Sequence, residues 1–193
     1  NQAMVARVPV GISRAHVHLS QKDLELLFGE GYQLNQKKAL TQPGQFAAEE
    51  TVALTGPKGS ITKVRVLGPV RSKTQVEVTV SDCYRLGIQA PVRESGDLEG
   101  TPGIAIEGPA GRVDLPEGVI VAKRHLHLSP ADAEKLGLKD KDIINVKAEG
   151  ERALTFENVL VRVRSDFFMD LHLDSDEANA AGLKNKDLVT IVS

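Results

Sequence analysis

The sequence predicts a mainly β fold built from small barrels or sandwiches, with short capped helices and an internal repeat. Three observations support this prediction. Apolar and polar residues alternate with a period of two along many short segments, which is typical of half-buried strands. Tight turns containing Gly and Pro separate these segments, as expected for all-β folds. Four segments share one pattern of capping residues and glycines, which indicates a repeated structural unit.

The alternating segments predict the strands, taken in chain order. They are Val52–Leu54, Ile61–Leu67, Gln75–Val80, Ile104–Glu107, Gly118–Leu128, Ile143–Lys147, Arg152–Val163 and Leu188–Val192. Turn residues separate several of them, at Gly56–Gly59, Gly108–Gly111 and Glu149–Glu151. The first two turns share a Gly-Pro-x-Gly pattern, which is a further sign of repetition.

Each repeat predicts a strand end followed by a short helix. The repeats start at His18, Glu77, His127 and His172. Two residues after each start stands Ser, Thr or Asp, the residue types that cap helix N-termini, and three residues later a carboxylate can complete a capping box. A Gly follows ten residues after three of the starts and eleven after the first, where it can end the helix in a left-handed conformation. We therefore expect helices of about two turns, each preceded by a strand whose last residues can point into a cleft.

The order of the repeats predicts a duplication. Repeats one and three carry His-x-His, whereas repeats two and four carry a single polar residue at the start position. The segments Gly137–Asp142 and Gly182–Asp187 also match each other, since both read Gly-Leu-Lys-x-Lys-Asp. Repeats one and two thus form one half and repeats three and four the other, in a pseudo-two-fold arrangement.

Composition excludes several classes of protein. The chain has 193 residues, of which 41% are hydrophobic and 26% charged, values typical of globular proteins. A net charge of −2, the absence of Trp and the lack of a basic run argue against nucleic-acid binding. No apolar run approaches the roughly 20 residues that a membrane helix needs. The single cysteine, Cys83, excludes an internal disulfide and a Cys-based zinc knuckle and favours the reducing cytoplasm.

All five histidines lie on the repeat frame, at the start position or two residues before it. Residues i and i+2 of a strand share a face about 6.6 Å apart, so paired imidazoles can bind one metal ion. Imidazole suits Zn²⁺, which typically takes four ligands, and Glu77 occupies the same frame position as three of the histidines. Six ligands are too many for one tetrahedral ion and suit two ions with open positions. The candidates are His16, His18, Glu77, His125, His127 and His172.

The alternative without a metal is that repeat ancestry alone preserved the histidine pairs and that Glu77 is a solvated strand carboxylate.

If two divalent ions are bound, the formal charge of the centre is about +3, which favours phosphate, carboxylate or hydroxide as ligands. Metal hydrolases usually need a further carboxylate base, and the frame supplies only Glu77. This favours transfer to a bound anion over hydrolysis.

The sequence resembles the PduL-type phosphotransacylases, the phosphate propanoyltransferases of propanediol utilisation. The matching segments cover nearly the whole chain, in order: Val10–Ser20, Lys37–Gln45, Gly68–Glu77, Val119–His127 and Asp170–Asn179. The resemblance implies a reversible reaction in which acyl-CoA, with propanoyl-CoA favoured, and phosphate give acyl phosphate and CoA. One departure from the family pattern concerns Arg14. Family members often place Arg directly before the first histidine, whereas here Ala15 stands between Arg14 and His16.

The resemblance also implies two zinc ions and their ligands. One ion, open to phosphate and to the CoA sulfur, is held by His16 and His18. The other is held by Glu77, His125, His127 and His172. Arg71 matches the catalytic arginine of the family, and a guanidinium there can hold phosphate and stabilise the oxyanion of a tetrahedral intermediate. The hypothesis is direct attack of metal-held phosphate on the thioester carbonyl, with no protein nucleophile.

Further positions match the CoA contacts of the family. They are Ser13, Lys38, Arg65, Leu67, His172 and Asn179. Lys38 and Arg65 could bind CoA phosphates and Leu67 could line the apolar part, although the alternating strand at residues 63–66 is also typical of an ordinary solvated edge.

The resemblance implies two small β-barrels, one formed by residues 1–14 with 123–193 and the other by residues 15–122. It also implies a homodimer. Nothing in the sequence matches the N-terminal peptide that directs some members into bacterial microcompartments. We therefore expect the cytoplasm, or the microcompartment lumen if a targeting extension precedes this sequence.

Two other functions compete with the phosphotransacylase prediction. One is a binuclear zinc hydrolase of thioesters or phosphoesters. The other is a non-catalytic metal- or nucleotide-binding β-barrel module. Release of free thiol from propanoyl-CoA with and without phosphate would separate the three.

Overall fold

A computed structural model describes residues 6–193, and the predicted mainly β fold with short helices is confirmed. The strands are β1 (Ala6–Ser13), β2 (His16–Ser20), β3 (Gln36–Ala39), β4 (Phe46–Thr55), β5 (Ser60–Arg71), β6 (Gln75–Glu77), β7 (Val92–Arg93), β8 (Ile104–Gly108), β9 (Gly111–Leu115), β10 (Val119–Ala122), β11 (His125–Leu128), β12 (Ile143–Ala148), β13 (Leu154–Val163), β14 (Asp170–Asp174) and β15 (Leu188–Ile191). The helices are α1 (Gln21–Phe28), α2 (Val80–Leu86), α3 (Pro130–Leu136) and α4 (Ser175–Ala181). Among these helices, none has the length and apolar character needed to cross a membrane.

The chain divides into two compact units. The terminal unit contains residues 6–13, Thr41–Pro43 and Lys123–Ser193, and the central unit contains Arg14–Leu40 and Gly44–Ala122. Residues 1–5 of the predicted first barrel lie outside the described residues.

The terminal unit is a closed barrel of six strands in the order β1-β14-β11-β13-β12-β15, with β15 pairing back to β1. Its core contains alternate residues of each strand, such as Leu126 and Leu128 of β11 and Leu171 and Leu173 of β14, none of which is exposed. Because side chains alternate along a strand, burying these leucines turns the intervening histidines to the outer face.

The central unit is a nine-stranded curled sheet in the order β7-β10-β6-β2-β5-β4-β8-β9, with β3 added on β4. The two Gly-Pro-x-Gly turns form the β4–β5 and β8–β9 hairpins. Val17 and Leu19 of β2 are fully buried in its core. Cys83 of α2 packs into the same core, as expected for a packing residue rather than a reacting one.

The predicted helix caps are confirmed in all four repeats. Ser20, Thr79, Ser129 and Asp174 are the N-caps. The second and fourth repeats form complete capping boxes, with Asp82 and Glu177 as the carboxylates. In the first repeat, Ser20 N donates to the Thr74 hydroxyl instead, and Thr74 donates to Asp23. Three helices end at a left-handed Gly, whereas the first ends at Gly29 with φ 125° and ψ 156°.

Several strand boundaries differ from the predicted ones. The predicted strand Gly118–Leu128 is two strands, β10 and β11, which end and begin on either side of Lys123 and Arg124. Val80 is the first residue of α2 rather than a strand residue, because the Thr79 side chain caps the helix there. Six strands, β1, β2, β3, β7, β9 and β14, lie outside the predicted alternating segments, and two of these, β2 and β14, are strand ends that the first and fourth repeats predict. All four residues of β3 are exposed, so it lacks the apolar alternation on which the prediction depended.

Replacing Thr79 by alanine should lower the free energy of unfolding by about 1 kcal/mol. The Thr79 hydroxyl accepts from Asp82 N at 3.1 Å and the side chain is buried, so alanine leaves that amide without its partner. Urea denaturation would measure the change. The matched control is Thr62→Ala, at an exposed position of β5 in the same unit, where we expect a change within about 0.5 kcal/mol. Equal unfolding curves for both variants would contradict the cap assignment.

Candidate active site

The paired histidines of the central unit are presented by strand β2. Val17 and Leu19 fill the core, so His16 and His18 lie on the opposite face of the strand. Strand β6 runs antiparallel beside β2, with His16 opposite Glu77 and His18 opposite Gln75. Residues opposite each other share a face, and this register therefore brings the Glu77 carboxylate to both imidazoles.

Three ligand atoms converge here. Glu77 Oε2 lies 3.0 Å from His16 Nε2 and 3.1 Å from His18 Nε2, and the three residues are buried. We call His16, His18 and Glu77 the first ligand set; within the described part of the chain it alone has three ligand atoms all within 4.8 Å of one another.

The first ligand set fits a zinc ion. Two atoms bound about 2.0 Å from a tetrahedral ion lie about 3.3 Å apart, close to the distances between Glu77 Oε2 and the two Nε2 atoms. His16 Nδ1 lies 2.8 Å from the Arg14 carbonyl oxygen. When Nδ1 carries the proton and donates it there, Nε2 keeps a lone pair for a metal.

In the first ligand set, the Glu77 carboxylate and the two imidazoles shift one another's pKa values. Burial alone would lower the pKa of His16, but the Glu77 carboxylate outweighs it and raises that pKa above 6.5. Burial would raise the pKa of Glu77, but the two imidazoles hold it well below 4.5. For His18, burial and the charge of His16 lower the pKa to about 4, against the effect of Glu77. Glu77 is therefore ionised and His18 neutral at pH 7.

Arg71 is connected to the first ligand set through two polar residues. Its guanidinium donates to Ser95 Oγ at 3.0 Å, and the Gln75 amide donates both to Ser95 Oγ at 3.1 Å and to Glu77 Oε2 at 3.0 Å. Gly96 N donates to Gln75 Oε1 at 2.8 Å. The charge of Arg71 also lowers the pKa of His16 and His18. Arg71 thus lies near the first ligand set, and its catalytic role stays a prediction.

Sequence reasoning missed Gln75 and Ser95 as site residues. For Gln75 a signal existed, because it stands two residues before Glu77, as His16 stands two residues before His18. Ser95 follows the two-residue strand β7 and lies outside the repeat frame, so nothing in the sequence indicated it.

The terminal unit repeats the same arrangement. Strand β11 runs antiparallel beside β14, with His125 opposite His172 and His127 opposite Asp170. His125 Nδ1 lies 2.8 Å from the Lys123 carbonyl oxygen, as His16 Nδ1 does from that of Arg14. The three imidazoles form a second ligand set, with ring centroids of His125 4.5 Å from His127 and 4.8 Å from His172.

The second ligand set stays a predicted metal site. Nδ1 of His127 is buried without a hydrogen-bond partner among the described residues, which is costly for a polar atom and fits an atom that binds a ligand. Burial and the charges of His125 and Arg162 lower the pKa of His127 to about 2, so its imidazole stays neutral. The resemblance assigns Glu77 to this second ion; the Glu77 carboxylate contacts His16 and His18, and its assignment to the second ion stays a prediction.

Asp170 is a further site residue that sequence reasoning missed. It stands two residues before His172, the frame position that His16 and His125 occupy in the other repeats. Burial raises its pKa to about 6. A Cβ on Gly11 would lie 2.5 Å from Asp170 Oδ1, so the carboxylate occupies space that only a glycine leaves open.

Three predicted CoA-binding residues lie in the central unit. His18, Leu67, Ala47 and Lys38 are paired in sequence across four adjacent strands, β2, β5, β4 and β3. Strands are about 4.8 Å apart, so Lys38 stands about 14 Å from His18 on the same face. Arg65 pairs with His16, and its guanidinium donates to the carbonyl oxygens of Ala48 and Glu49.

The other three predicted CoA-binding residues lie in the terminal unit. Ser13 ends β1 opposite Asp174, His172 belongs to the second ligand set, and Asn179 is exposed on α4.

Comparison with known proteins identifies the family. A protein-family model described as phosphate propanoyltransferase matches residues 9–184. A phosphate propanoyltransferase from Thermotoga maritima is 61% identical over 162 residues, covering 83% of this chain and 77% of that protein. One from Rhodopseudomonas palustris is 57% identical over 157 residues, covering 81% and 70%. One from Salmonella typhimurium is 52% identical over 165 residues, covering 85% and 78%. The chain therefore belongs to the phosphate propanoyltransferase family and is an acyltransferase.

Proposed function

We propose that this chain transfers a propanoyl group reversibly between CoA and inorganic phosphate, with two zinc ions as cofactors. The observation that carries the proposal is the first ligand set, where two buried imidazoles and a carboxylate converge beside the guanidinium of Arg71. The same strand register recurs in the terminal unit, which supports a second ion at the second ligand set.

Neighbouring residues orient the proposed ligand atoms and keep two of the imidazoles unprotonated. When bound, zinc would supply positive charge that holds phosphate and polarises the thioester carbonyl. The Arg14 and Lys123 carbonyls accept from Nδ1 of His16 and His125 and so orient Nε2 of each ring. Gln75 holds the Glu77 carboxylate in place through its side-chain amide, which donates to Glu77 Oε2. The low pKa values of His18 and His127 keep both imidazoles unprotonated.

The reaction requires an anionic nucleophile, an electrophilic carbonyl and a stable leaving group. An oxygen of hydrogen phosphate attacks the thioester carbonyl carbon, and the new C–O bond places negative charge on the carbonyl oxygen. Collapse of this intermediate breaks the C–S bond, and the sulfur leaves with the electron pair and takes up the proton of the phosphate. Arg71 stabilises the phosphate and the oxyanion through charged hydrogen bonds, and Ser95 Oγ accepts from its guanidinium and holds it in place.

We further propose that CoA follows the line of residues from His18 to Lys38. His18 marks the metal end, Leu67 provides an apolar contact for the pantetheine arm, and Lys38 is exposed and can meet a phosphate. Ser13, Arg65, His172 and Asn179 are proposed as further CoA contacts on the strength of the resemblance.

We also propose that the two compact units are the two domains and that the chain forms a homodimer. Tyr84 and Val80 of α2 are 82% and 49% exposed beside a pocket of about 570 Å³ that they line together with Lys58 and Gln89, and these two exposed apolar side chains are a contact that a second copy can cover. Light scattering after size exclusion would test this. We propose the cytoplasm as the location, because the single cysteine favours a reducing compartment, or the microcompartment lumen, which the resemblance implies.

Release of free thiol from propanoyl-CoA, followed with and without phosphate, tests the proposed function. We expect release only with phosphate, together with formation of propanoyl phosphate, which hydroxylamine trapping would detect. Equal release without phosphate would instead indicate a thioester hydrolase. No release from zinc-loaded protein would indicate a binding module.

A further inference from the structure

Arg162 lies beside the second ligand set. In the parallel pairing of β11 with β13, His127 lies opposite Arg162. Paired residues of adjacent strands share a face, with Cβ atoms about 5 Å apart. Leu126 and Leu128 fill the barrel core, so Arg162 and His127 both lie on the outer face.

Phe167 gives the guanidinium a fixed platform. Arg162 Cζ lies 5.6 Å from the Phe167 ring centroid, Arg164 Cζ lies 5.1 Å from it, and the His127 ring centroid lies 4.5 Å from it. The loop that carries Phe167 is anchored by Gln42, whose amide makes 3.0 Å hydrogen bonds to both the N–H and the carbonyl of Phe168. Two guanidinium groups and a metal-binding imidazole are thus arranged around one buried ring.

The positive charge of Arg162 has no acidic partner within residues 6–193. Arg164 does have one, since its Nε lies 3.4 Å from Asp166 Oδ1. Asp170 is the carboxylate paired with His127, and it lies on β14, the neighbouring strand on the other side of β11 from Arg162. A half-buried guanidinium with only a ring contact keeps its hydrogen-bond donors available, and the group whose geometry matches them best is a phosphate or carboxylate.

Barrel packing does not require this cation. In the central unit, the residue at the equivalent register position, opposite His18, is Leu67. The two repeats therefore use the same backbone position for different chemistry, an apolar side chain in one and a guanidinium in the other.

We propose that Arg162, stacked on Phe167, binds a phosphate group of a substrate beside His127, with Arg164 as a secondary contact. The inference rests on the proposed function and adds a second anion-binding arginine to Arg71. The phosphate can come from two sources, inorganic phosphate or propanoyl phosphate on one hand and the phosphates of CoA on the other.

Arg162→Gln tests the proposal, with Arg152→Gln as the matched control because Arg152 is an exposed arginine of the same unit. We would measure zinc content, kcat, and KM for phosphate and for propanoyl-CoA, and the binding of CoA and of dephospho-CoA by calorimetry. A charged hydrogen bond to phosphate is lost, so we expect one KM to rise about tenfold or more. Zinc content should stay at the wild-type value.

Which of the two KM values rises in Arg162→Gln identifies whether Arg162 binds inorganic phosphate or a phosphate of CoA. A rise confined to the KM for phosphate assigns inorganic phosphate. A rise in the KM for propanoyl-CoA, with weaker CoA binding and less discrimination against dephospho-CoA, assigns the CoA phosphates. Arg162→Lys should restore part of the affinity in either case.

Two results would overturn the proposal: both KM values and CoA binding within twofold of wild type, or loss of zinc from Arg162→Gln, which would make Arg162 structural. Failure of the proposed function is a separate observation, because wild-type protein would then release no thiol in response to phosphate. Calorimetry with CoA and phosphate would still decide whether Arg162 binds either of them.

Discussion

Arg71→Ala is expected to lower kcat by about a hundredfold to a thousandfold, the usual cost of removing one oxyanion-stabilising donor. Arg71 donates to Ser95, and its charge lowers the pKa of both histidines of the first ligand set. Arg71 itself does not belong to that set. Zinc content should therefore remain near the wild-type value. Initial rates of phosphate-dependent thiol release, together with elemental analysis of the same samples, would measure both effects.

Two variants sharpen the Arg71 experiment. Arg112→Ala removes an exposed arginine of the same unit whose ion pairs are with Glu107 and Asp114 at the surface, and it should keep wild-type kcat. Removing Arg71 also raises the pKa of His16 and His18, so protons compete better with metal near neutral pH, and zinc should be compared at pH 8. Loss of zinc at that pH, or a kcat within threefold of wild type, would refute the catalytic role of Arg71.

Glu77→Gln is expected to remove the metal of the first ligand set and to lower activity at least about a hundredfold, since even outer contacts of metal ligands carry 10- to 100-fold effects. The substitution keeps the shape of the side chain but removes the negative charge that offsets a bound cation. Glu77 Oε2 lies 3.0 Å from His16 Nε2 and 3.1 Å from His18 Nε2 and accepts from the Gln75 amide, and a neutral amide at this position attracts a cation less strongly than a carboxylate. Zinc per chain, by elemental analysis, is the measurement.

The control for Glu77→Gln is Glu107→Gln. Glu107 is exposed and pairs with Arg112, so this variant should keep full zinc and activity. If Glu77→Gln retained the zinc content and activity of the control, Glu77 would be a strand carboxylate of the kind that the alternative interpretation describes.

The repeat made the helix caps predictable, because N-capping and glycine termination depend on residues within one short segment. The same frame identified all the histidines that the structure places on β2, β11 and β14. Local sequence does not specify which strand pairs with which, however. The register that sets Glu77 against His16 and His18 comes from burying Val17 and Val76 on the other face of the sheet.

Residues that act through long-range contacts were harder to find. Gln75 and Asp170 occupy frame positions that carry histidine in the sister repeats, so the frame could have indicated them, although an amide and a carboxylate are not the expected ligand types. Ser95 and Phe167 lie in loops, and their positions at the two ligand sets depend on contacts with Gln75 and with His127. No periodic pattern predicts such contacts.

Counting zinc in the purified chain tests the account most directly. Native mass spectrometry of wild-type protein, His18→Ala and His127→Ala should give about two, one and one zinc ions per chain, as expected if each ligand set holds one ion. Two zinc ions retained in both variants would mean that His18 and His127 do not bind zinc. Full phosphate-dependent activity in protein that contains no zinc would mean that the transfer does not depend on these ions.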